Sequence, residues 1–308
     1  MNPQNTAPLV YCLVLNLNGN EVIDEALDSI LKMDYANFRV LVVDNGSTDG
    51  SLERVKSGYS EIEVIELSEN LGFGGGNNVG MQHALKNGAE WVFLLNNDIV
   101  VHENLLTELM NVGISSTSIG VLGAKIYYHD EPDKIWFGGG GVNFFTGVAY
   151  HRNLRKIDRG QFEEIRESDY ITGCAFLVRA TVLEKVGLFD DAFFPSYVED
   201  ADLSLRIRNA GYKLMYVPRG KLWHKVSSYS GGGLTPLKTR LKTAHSLLFF
   251  SRYAQWYHWL TMPLFILAGT LVFVVREAVK GNWGVVKALF AGFAEGMQKY
   301  HRLRRTAD

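Results

Sequence analysis

The chain has 308 residues, 47% of them apolar and 21% charged, with a formal charge of −2. That is enough for one large or two modest domains with a substantial core, and it excludes a disordered tail, a collagen-like or coiled-coil fibre and a multi-span membrane protein. Only two cysteines occur, Cys12 and Cys174, both in apolar runs, and the first residues (MNPQNTAP) show neither a basic stretch nor an apolar leader core, so a reducing, cytoplasmic setting without disulfides is expected.

In chain order, residues 9–15 form a continuous apolar run of strand length, and apolar residues at helical spacing follow over 21–33. Residues 38–43 and 62–67 read as further strands, 74–86 as a helix and 91–95 as a fourth strand. Nearly continuous apolar strands separated by helices predict an α/β chain with a mostly parallel sheet covered on both faces. In such sheets ligands gather at the carboxyl ends of the strands, so the residues after each strand carry the functional information.

Those residues are polar every time: Asn16-Leu17-Asn18-Gly19, then Asp44-Asn45-Gly46-Ser47-Thr48-Asp49-Gly50-Ser51, then the stretch from Glu69 to Asn78, then Asn96-Asn97-Asp98. Tight turns and helix caps call for Asn, Asp and Gly. Turns alone do not call for so many carboxamides and carboxylates along one sheet edge. Gly72-Phe73-Gly74-Gly75-Gly76-Asn77 has Asn where the dinucleotide fingerprint has its third glycine, and no P-loop lysine follows. Hydride transfer and P-loop hydrolysis lose ground accordingly. What remains is a flexible glycine-rich loop opening a helix, able to approach a ligand closely and offer N–H groups to an anion.

Taken in order, Val43 to Ser51, Asn70-Leu71-Gly72-Phe73-Gly74 and Asn96-Asn97-Asp98 resemble the family 2 glycosyltransferases, and most of all their bacterial rhamnosyltransferase-like branch, over about residues 8–226. The resemblance implies the GT-A fold for residues 1–233, a nucleotide-diphospho-sugar donor, Mg²⁺ or Mn²⁺, and inversion at the anomeric carbon. It turns Asn16, Asp44, Asn45, Asp49, Gly72, Phe73, Asn77 and Asn97 toward the nucleotide. Asn96-Asn97-Asp98 stands where the family carries an Asp-x-Asp metal motif, with the first carboxylate missing. One carboxylate suffices for a hard cation that draws further ligands from phosphate and water, provided the chain supplies another. His224, in Trp223-His224-Lys225, resembles the histidine that completes this site in many relatives; taken alone it also reads as a hydrogen-bonded histidine at a strand end.

The second half holds Thr172-Gly173-Cys174-Ala175, Gly187-Leu188-Phe189-Asp190-Asp191 and the run from Val198 to Arg206. Acidic residues opening a helix that continues to about Ala210 interact favourably with its dipole, which accounts for Asp202. Glu199-Asp200 resembles the family's acidic pair, in which the Asp takes the proton from the acceptor hydroxyl. A sugar hydroxyl is a poor nucleophile at neutral pH and needs such a base. Asp200 is expected in that role, with Glu199 beside it.

Residues 219–308 hold 14 Lys/Arg against three Asp/Glu, so a basic tail follows an acidic body. Within 234–308, residues 256–275 lack Asp, Glu, Lys and Arg, although His258 and Pro263 interrupt them. At about 1.5 Å per residue they just match a bilayer core of about 30 Å. Basic flanks on both sides argue for a shallow or re-entrant helical hairpin on an anionic membrane, with Trp283 opening a second amphipathic helix, rather than for nucleic-acid binding. The alternative is a soluble helical appendage packed on the catalytic domain or a second subunit.

The reading that follows is an inverting, metal-dependent sugar transfer at the inner face of the cell membrane, to a glycan or lipid-linked hydroxyl in bacterial surface-polysaccharide synthesis. The resemblance favours dTDP-L-rhamnose, with UDP-galactofuranose or a UDP-hexose as other donors. A sugar nucleotidyltransferase, releasing pyrophosphate, is an alternative. A catalytically silent sugar-nucleotide-binding or membrane-scaffold protein is another, because of the missing carboxylate.

Overall fold

A computed structural model describes residues 7–226 and 233–307. The first part of the chain runs β1 (Val10–Asn16), α1 (Ile23–Leu31), β2 (Phe38–Asp44), α2 (Ser51–Gly58), β3 (Glu63–Glu66), α3 (Gly72–Lys86), β4 (Trp91–Asn96), β5 (Ile99–Val101) and α4 (Leu105–Gly113). It continues with β6 (Ile119–Tyr128), β7 (Ile135–Phe137), β8 (Gly140–Asn143), β9 (Val148–His151), β10 (Arg166–Glu167), β11 (Ala175–Arg179), α5 (Ala180–Val186), α6 (Glu199–Asn209) and β12 (Lys213–His224). The tail holds α7 (Pro236–Tyr253), a 3₁₀ turn (Trp256–Leu260), α8 (Met262–Val279) and α9 (Trp283–Ala307).

The main sheet has the order β10-β12-β6-β11-β4-β1-β2-β3. Its β3-β2-β1-β4 half is parallel, β11 enters antiparallel between β4 and β6, and β12 lies parallel to β6. Residues Val10 to Val14, Leu41 to Val43, Val92 to Leu94 and Phe176 to Val178 are fully buried, as strands covered on both faces must be.

The strands reach one residue further than their apolar runs, so Asn16, Asp44 and Asn96 are strand ends rather than the first loop residues. In register, Asn16 lies opposite Asp44, and Leu15 opposite Asn96. The helix expected over 74–86 is present and begins two residues earlier, at Gly72, so the glycine-rich segment forms the first two turns of α3. Packing explains this. A Cβ at Gly76 would lie 2.5 Å from Leu15 Cδ1, and one at Gly80 would lie 2.1 Å from Leu13 Cδ1. Glycines four apart make one bare stripe, and the helix settles directly on β1.

The chain forms two compact units. The second is more than a tail, since it takes in Val142–Tyr150 and Ser196–Val198 as well as the described residues from Gly233 onward. Within it the apolar run breaks after the 3₁₀ turn, and α8 begins with Pro263 in its first turn, where a residue without an N–H is tolerated. Helices α7 and α9 pack along their lengths in the same direction. Gly284 lies by Pro236, Gly292 on the Arg240 carbonyl and Gly296 on the Ala244 carbonyl. An Arg240–Glu295 ion pair of 2.6 Å and a Lys299–His245 contact of 2.7 Å join them.

Candidate active site

The strand-end residues interlock. Asn16, fully buried, donates from Nδ2 to Asp44 Oδ1 and Ser51 Oγ, each at 2.9 Å, and its Oδ1 accepts from Asn97 Nδ2 at 2.9 Å. Asp44, 1% exposed, accepts the Ser47 N–H on its other oxygen at 2.9 Å. Asp49 is exposed and accepts from Ser51 N, Ser51 Oγ and Asn20 N. Partial burial alone would raise its pKa, but these donors outweigh it and hold the carboxyl below the ordinary range.

Asn45 clamps the next loop, donating to Asn70 Oδ1 at 3.0 Å and Gly72 O at 3.1 Å while accepting from Leu71 N at 2.9 Å. Gly72 has φ +74°, and a Cβ there would lie 2.6 Å from Pro195 O, whose carbonyl accepts the Phe73 N–H at 2.7 Å. No other residue fits both demands easily. Asn77 is buried with its Nδ2 on Phe73 O at 2.9 Å, so its carboxamide serves α3 itself. Asn78 pairs with both the N–H and the C=O of Phe189, tying α3 to the Gly187-Leu188-Phe189 stretch.

The link from β4 into β5 builds the second cluster. β5 pairs antiparallel with the end of β12, setting Ile99 opposite His224, and the Lys225 N–H donates to Asp98 O at 2.9 Å. This pairing brings Asp98 Oδ1 and His224 Nε2, far apart in the chain, to 3.0 Å, with both residues 6% exposed. Asn96 Nδ2 stands 3.4 Å from the same Nε2, and the Trp136 ring meets the imidazole edge-on at 4.7 Å. The Cys174 thiol also bonds to His224, and burial raises its pKa. Burial by itself would lower the His224 pKa, but Cys174 and the Asp98 carboxylate outweigh it, and the imidazole is held well above its ordinary value.

Two donor atoms bound side by side to an octahedral cation at about 2.1 Å lie about 3.0 Å apart, so the spacing of Asp98 and His224 suits Mg²⁺ or Mn²⁺. Among the described residues no group of three or more His, Cys, Asp or Glu is arranged to hold a metal alone. The pair therefore fits a cation whose remaining ligands come from substrate phosphate and water.

Cys174 connects this pair to the acidic helix. Its neighbour Gly173 donates its N–H to Asp200 Oδ2 at 2.9 Å, and the other Asp200 oxygen accepts the Ala201 N–H at 2.8 Å. A Cβ on Gly173 would come within 2.9 Å of the Phe73 ring, so Phe73, Gly173 and Asp200 form one packed corner. Glu199, 5% exposed, lines a small separate cleft with Leu71, Gly74 and Asp190. Asp202 has a structural partner: Arg206 Nε at 2.8 Å, and that guanidinium also holds the Val186 and Leu188 carbonyls. Sequence reading missed Cys174, Trp136, Ser47 and Ser51 as site members, although the Thr172-Gly173-Cys174-Ala175 motif pointed to the first.

A doubly covered sheet with a parallel nucleotide-binding half, polar strand ends and an Asp–His pair beside an acidic helix defines a GT-A nucleotide-sugar transferase fold. Residues 12–187 match the family model described as Glycosyl transferase family 2, and the chain belongs to that family of enzymes. It is 27% identical over 240 residues to the N-acetylglucosaminyl-diphospho-decaprenol L-rhamnosyltransferase of Mycobacterium tuberculosis, covering 71% of this chain and 76% of that one. It is 25% identical over 224 residues to the Rhamnosyltransferase WbbL of Escherichia coli, covering 68% and 81%. An uncharacterized protein, y4gI of Sinorhizobium fredii, is 27% identical over 77% of this chain, which spans only 26% of that protein. Among solved structures, GalNAc-T7 with UDP, GalNAc and Mn²⁺ matches with a TM-score of 0.64 over 82% of this chain and 49% of its own, at 15% identity. The mannosyltransferase PcManGT of Pyrobaculum calidifontis, with GDP-Man and Mn²⁺, matches at 0.58 over 96% and 88%, also at 15% identity.

Proposed function

We propose that this glycosyltransferase moves L-rhamnose, from dTDP-rhamnose ahead of UDP-sugars, to a hydroxyl of a glycan or lipid-linked acceptor in bacterial surface-polysaccharide synthesis. Catalysis belongs to the first unit, within residues 1–233, and contact with the cytoplasmic face of the membrane to the second, chiefly residues 234–308. The observation that carries the reading is the Asp98–His224 pair at 3.0 Å, joined through Cys174 and Gly173 to Asp200. The sugar and acceptor are supported by the two rhamnosyltransferase relatives, one of them named for a lipid-linked substrate.

In this mechanism Asp200 takes the proton of the acceptor hydroxyl. Two backbone N–H groups fix its carboxylate, one on each oxygen, and so orient it for that task. Asp49, Asn97 and Phe73 face the nucleoside, while Asn16, Asp44, Asn45, Gly72 and Asn77 hold the loops that form its cradle. Asp98 and His224 would hold Mg²⁺ or Mn²⁺, which supplies charge neutralisation for the departing diphosphate. For this His224 must give up its Nε2 proton. A single displacement inverts the anomeric carbon.

A panel of nucleotide-sugars, each assayed for nucleoside-diphosphate release with and without Mg²⁺ or Mn²⁺ and a polyprenyl-diphospho-sugar acceptor, tests the proposal. Acceptor-dependent release from dTDP-rhamnose is expected. Release of pyrophosphate, or of nothing from any donor, refutes it.

A further inference from the structure

The second unit exposes a broad apolar surface. Of the 18 residues of α8 only Met262 and Glu277 are buried, while Leu264, Leu267, Leu271 and Val272 are 63–68% exposed. The mean hydropathy of the helix is 1.8, and apolar residues occupy every side of it. A helix apolar all round belongs inside a protein or inside lipid. At its N-terminal end an aromatic knob extends the surface: Trp256 is 76% exposed, and Tyr257 and Trp259 are each 42% exposed. A second chain segment joins in. Phe145, at the tip of the β8–β9 hairpin, is 52% exposed beside Tyr257 and His258, and its carbonyl accepts the Thr261 hydroxyl at 2.9 Å. At the far end Arg276 and Lys280 expose 56% of their side chains.

We propose that this unit docks on an anionic phospholipid bilayer by sinking α8 and the aromatic knob into one leaflet, without crossing it. The proposal deepens the membrane location given above and does not depend on the donor, the metal or the transfer reaction. Length alone would permit crossing, since 18 residues at about 1.5 Å each nearly span the hydrocarbon. The packing forbids it. Helix α7 precedes α8 and α9 follows it, yet the two lie side by side in the same direction, so α8 is the return stroke between them. Crossing would either tear α7 from α9 or carry both into the hydrocarbon with Lys238, Lys242 and Lys299. Each such charge costs about 2.5–3.5 kcal/mol at the centre of a membrane helix. One leaflet, about 15 Å deep, accommodates a helix about 10–12 Å wide. A second copy of the chain is the competing occupant, but residues 234–308 carry 11 Lys/Arg against three Asp/Glu, and two such surfaces repel where anionic lipid attracts.

Single cysteines introduced into the full-length protein test this, because Cys12 and Cys174 are both buried and leave the new thiol as the accessible one. An environment-sensitive fluorophore on Leu267→Cys or Leu271→Cys is expected to shift to the blue on sealed phosphatidylcholine–phosphatidylglycerol vesicles, and less on phosphatidylcholine alone. Leu237→Cys on α7 and Gln298→Cys on α9, both exposed, should react equally with a membrane-impermeant maleimide added outside. Protection of either thiol in vesicle-bound protein means that α8 crosses, and overturns the single-leaflet geometry while leaving membrane binding intact. Absence of flotation with either vesicle overturns the membrane reading itself. A blue shift that needs no vesicles and grows with protein concentration, together with a dimer mass by light scattering, assigns the surface to a second copy and overturns the proposal.

Discussion

Asp200→Asn separates the chemistry of the proposed base from its shape. The carboxylate accepts from Gly173 N at 2.9 Å on one oxygen and from Ala201 N at 2.8 Å on the other. An amide can satisfy only one of these, and its NH₂ must then face a backbone N–H. That clash costs about 1–3 kcal/mol of stability, a visible but survivable loss for a folded domain. Loss of general-base catalysis costs about 10²–10⁴-fold in turnover, or roughly 3–5 kcal/mol at the transition state. The nucleotide cradle lies on other strand ends, so donor affinity should change by less than about threefold. Calorimetric titration with the donor, a thermal melt and an acceptor-dependent transfer assay on one preparation resolve the three quantities. A variant that is folded, binds donor and turns over at the parent rate refutes the role given to Asp200, and Glu199→Gln is then the next variant to assay.

Asp98→Ala and His224→Ala should each raise the Mg²⁺ or Mn²⁺ concentration needed for half-maximal transfer by about tenfold or more; full activity of either variant in chelator would count against the metal role. Asp44→Ala should weaken donor binding and also destabilise by about 1–3 kcal/mol, since Asn16 Nδ2 and Ser47 N both lose an acceptor in a buried place; calorimetry with an unchanged Kd would remove Asp44 from the donor site. His245, fully buried, presents Nδ1 to the Ser196 and Tyr197 carbonyls and Nε2 to the Lys299 ammonium, with Glu295 also nearby, so burial and then the Lys299 charge push its pKa down to about 4. The unfolded chain takes up that proton first, so this stabilisation is complete above pH 6.5 and is lost as pH falls toward 4, on the order of 3 kcal/mol in all. His245→Gln keeps a donor and an acceptor without the titration, and should flatten the acid limb of the melting curve. An identical acid limb in both proteins would be the contrary result.

What the sequence made legible follows the range of the interactions involved. The parallel half of the sheet rests on apolar runs and helical spacing, which are local, and their polar ends could be read directly. The helix over 74–86 was legible too, but its start at Gly72 was not, because glycine disfavours helix, and the contact of Gly76 and Gly80 with β1 that offsets this preference is not local. The meeting of Asp98 with His224 depends on β5 pairing with β12, a register between segments far apart in the chain that no local pattern encodes. Resemblance to a family supplied the expectation there. Cys174 was hidden for a similar reason, as its position against His224 comes from β11 crossing antiparallel beside β4. Asp202 illustrates the opposite failure: a helix-dipole account was sufficient from sequence, yet the structure gives it the further task of orienting Arg206.

The strand-end network also bears on why the site proposed here, with a single carboxylate in Asn96-Asn97-Asp98, can be well ordered. Asn16, Asp44, Asn45 and Asn97 are joined to one another, to backbone groups or to Ser47, Ser51 and Asn70 of the same loops, and the first three are almost wholly buried. Buried polar groups of this kind stabilise only when satisfied, and a saturated network admits very few loop conformations. Fixed loops matter most where the ligand brings its own charge, since a diphosphate meeting pre-oriented amides and one Asp–His pair needs little further reorganisation. A second carboxylate at Asn96 would add negative charge beside Asp98 and strengthen the hold of His224 on its proton, which a metal must displace. The carboxamide keeps the shape of the motif and leaves that competition weaker.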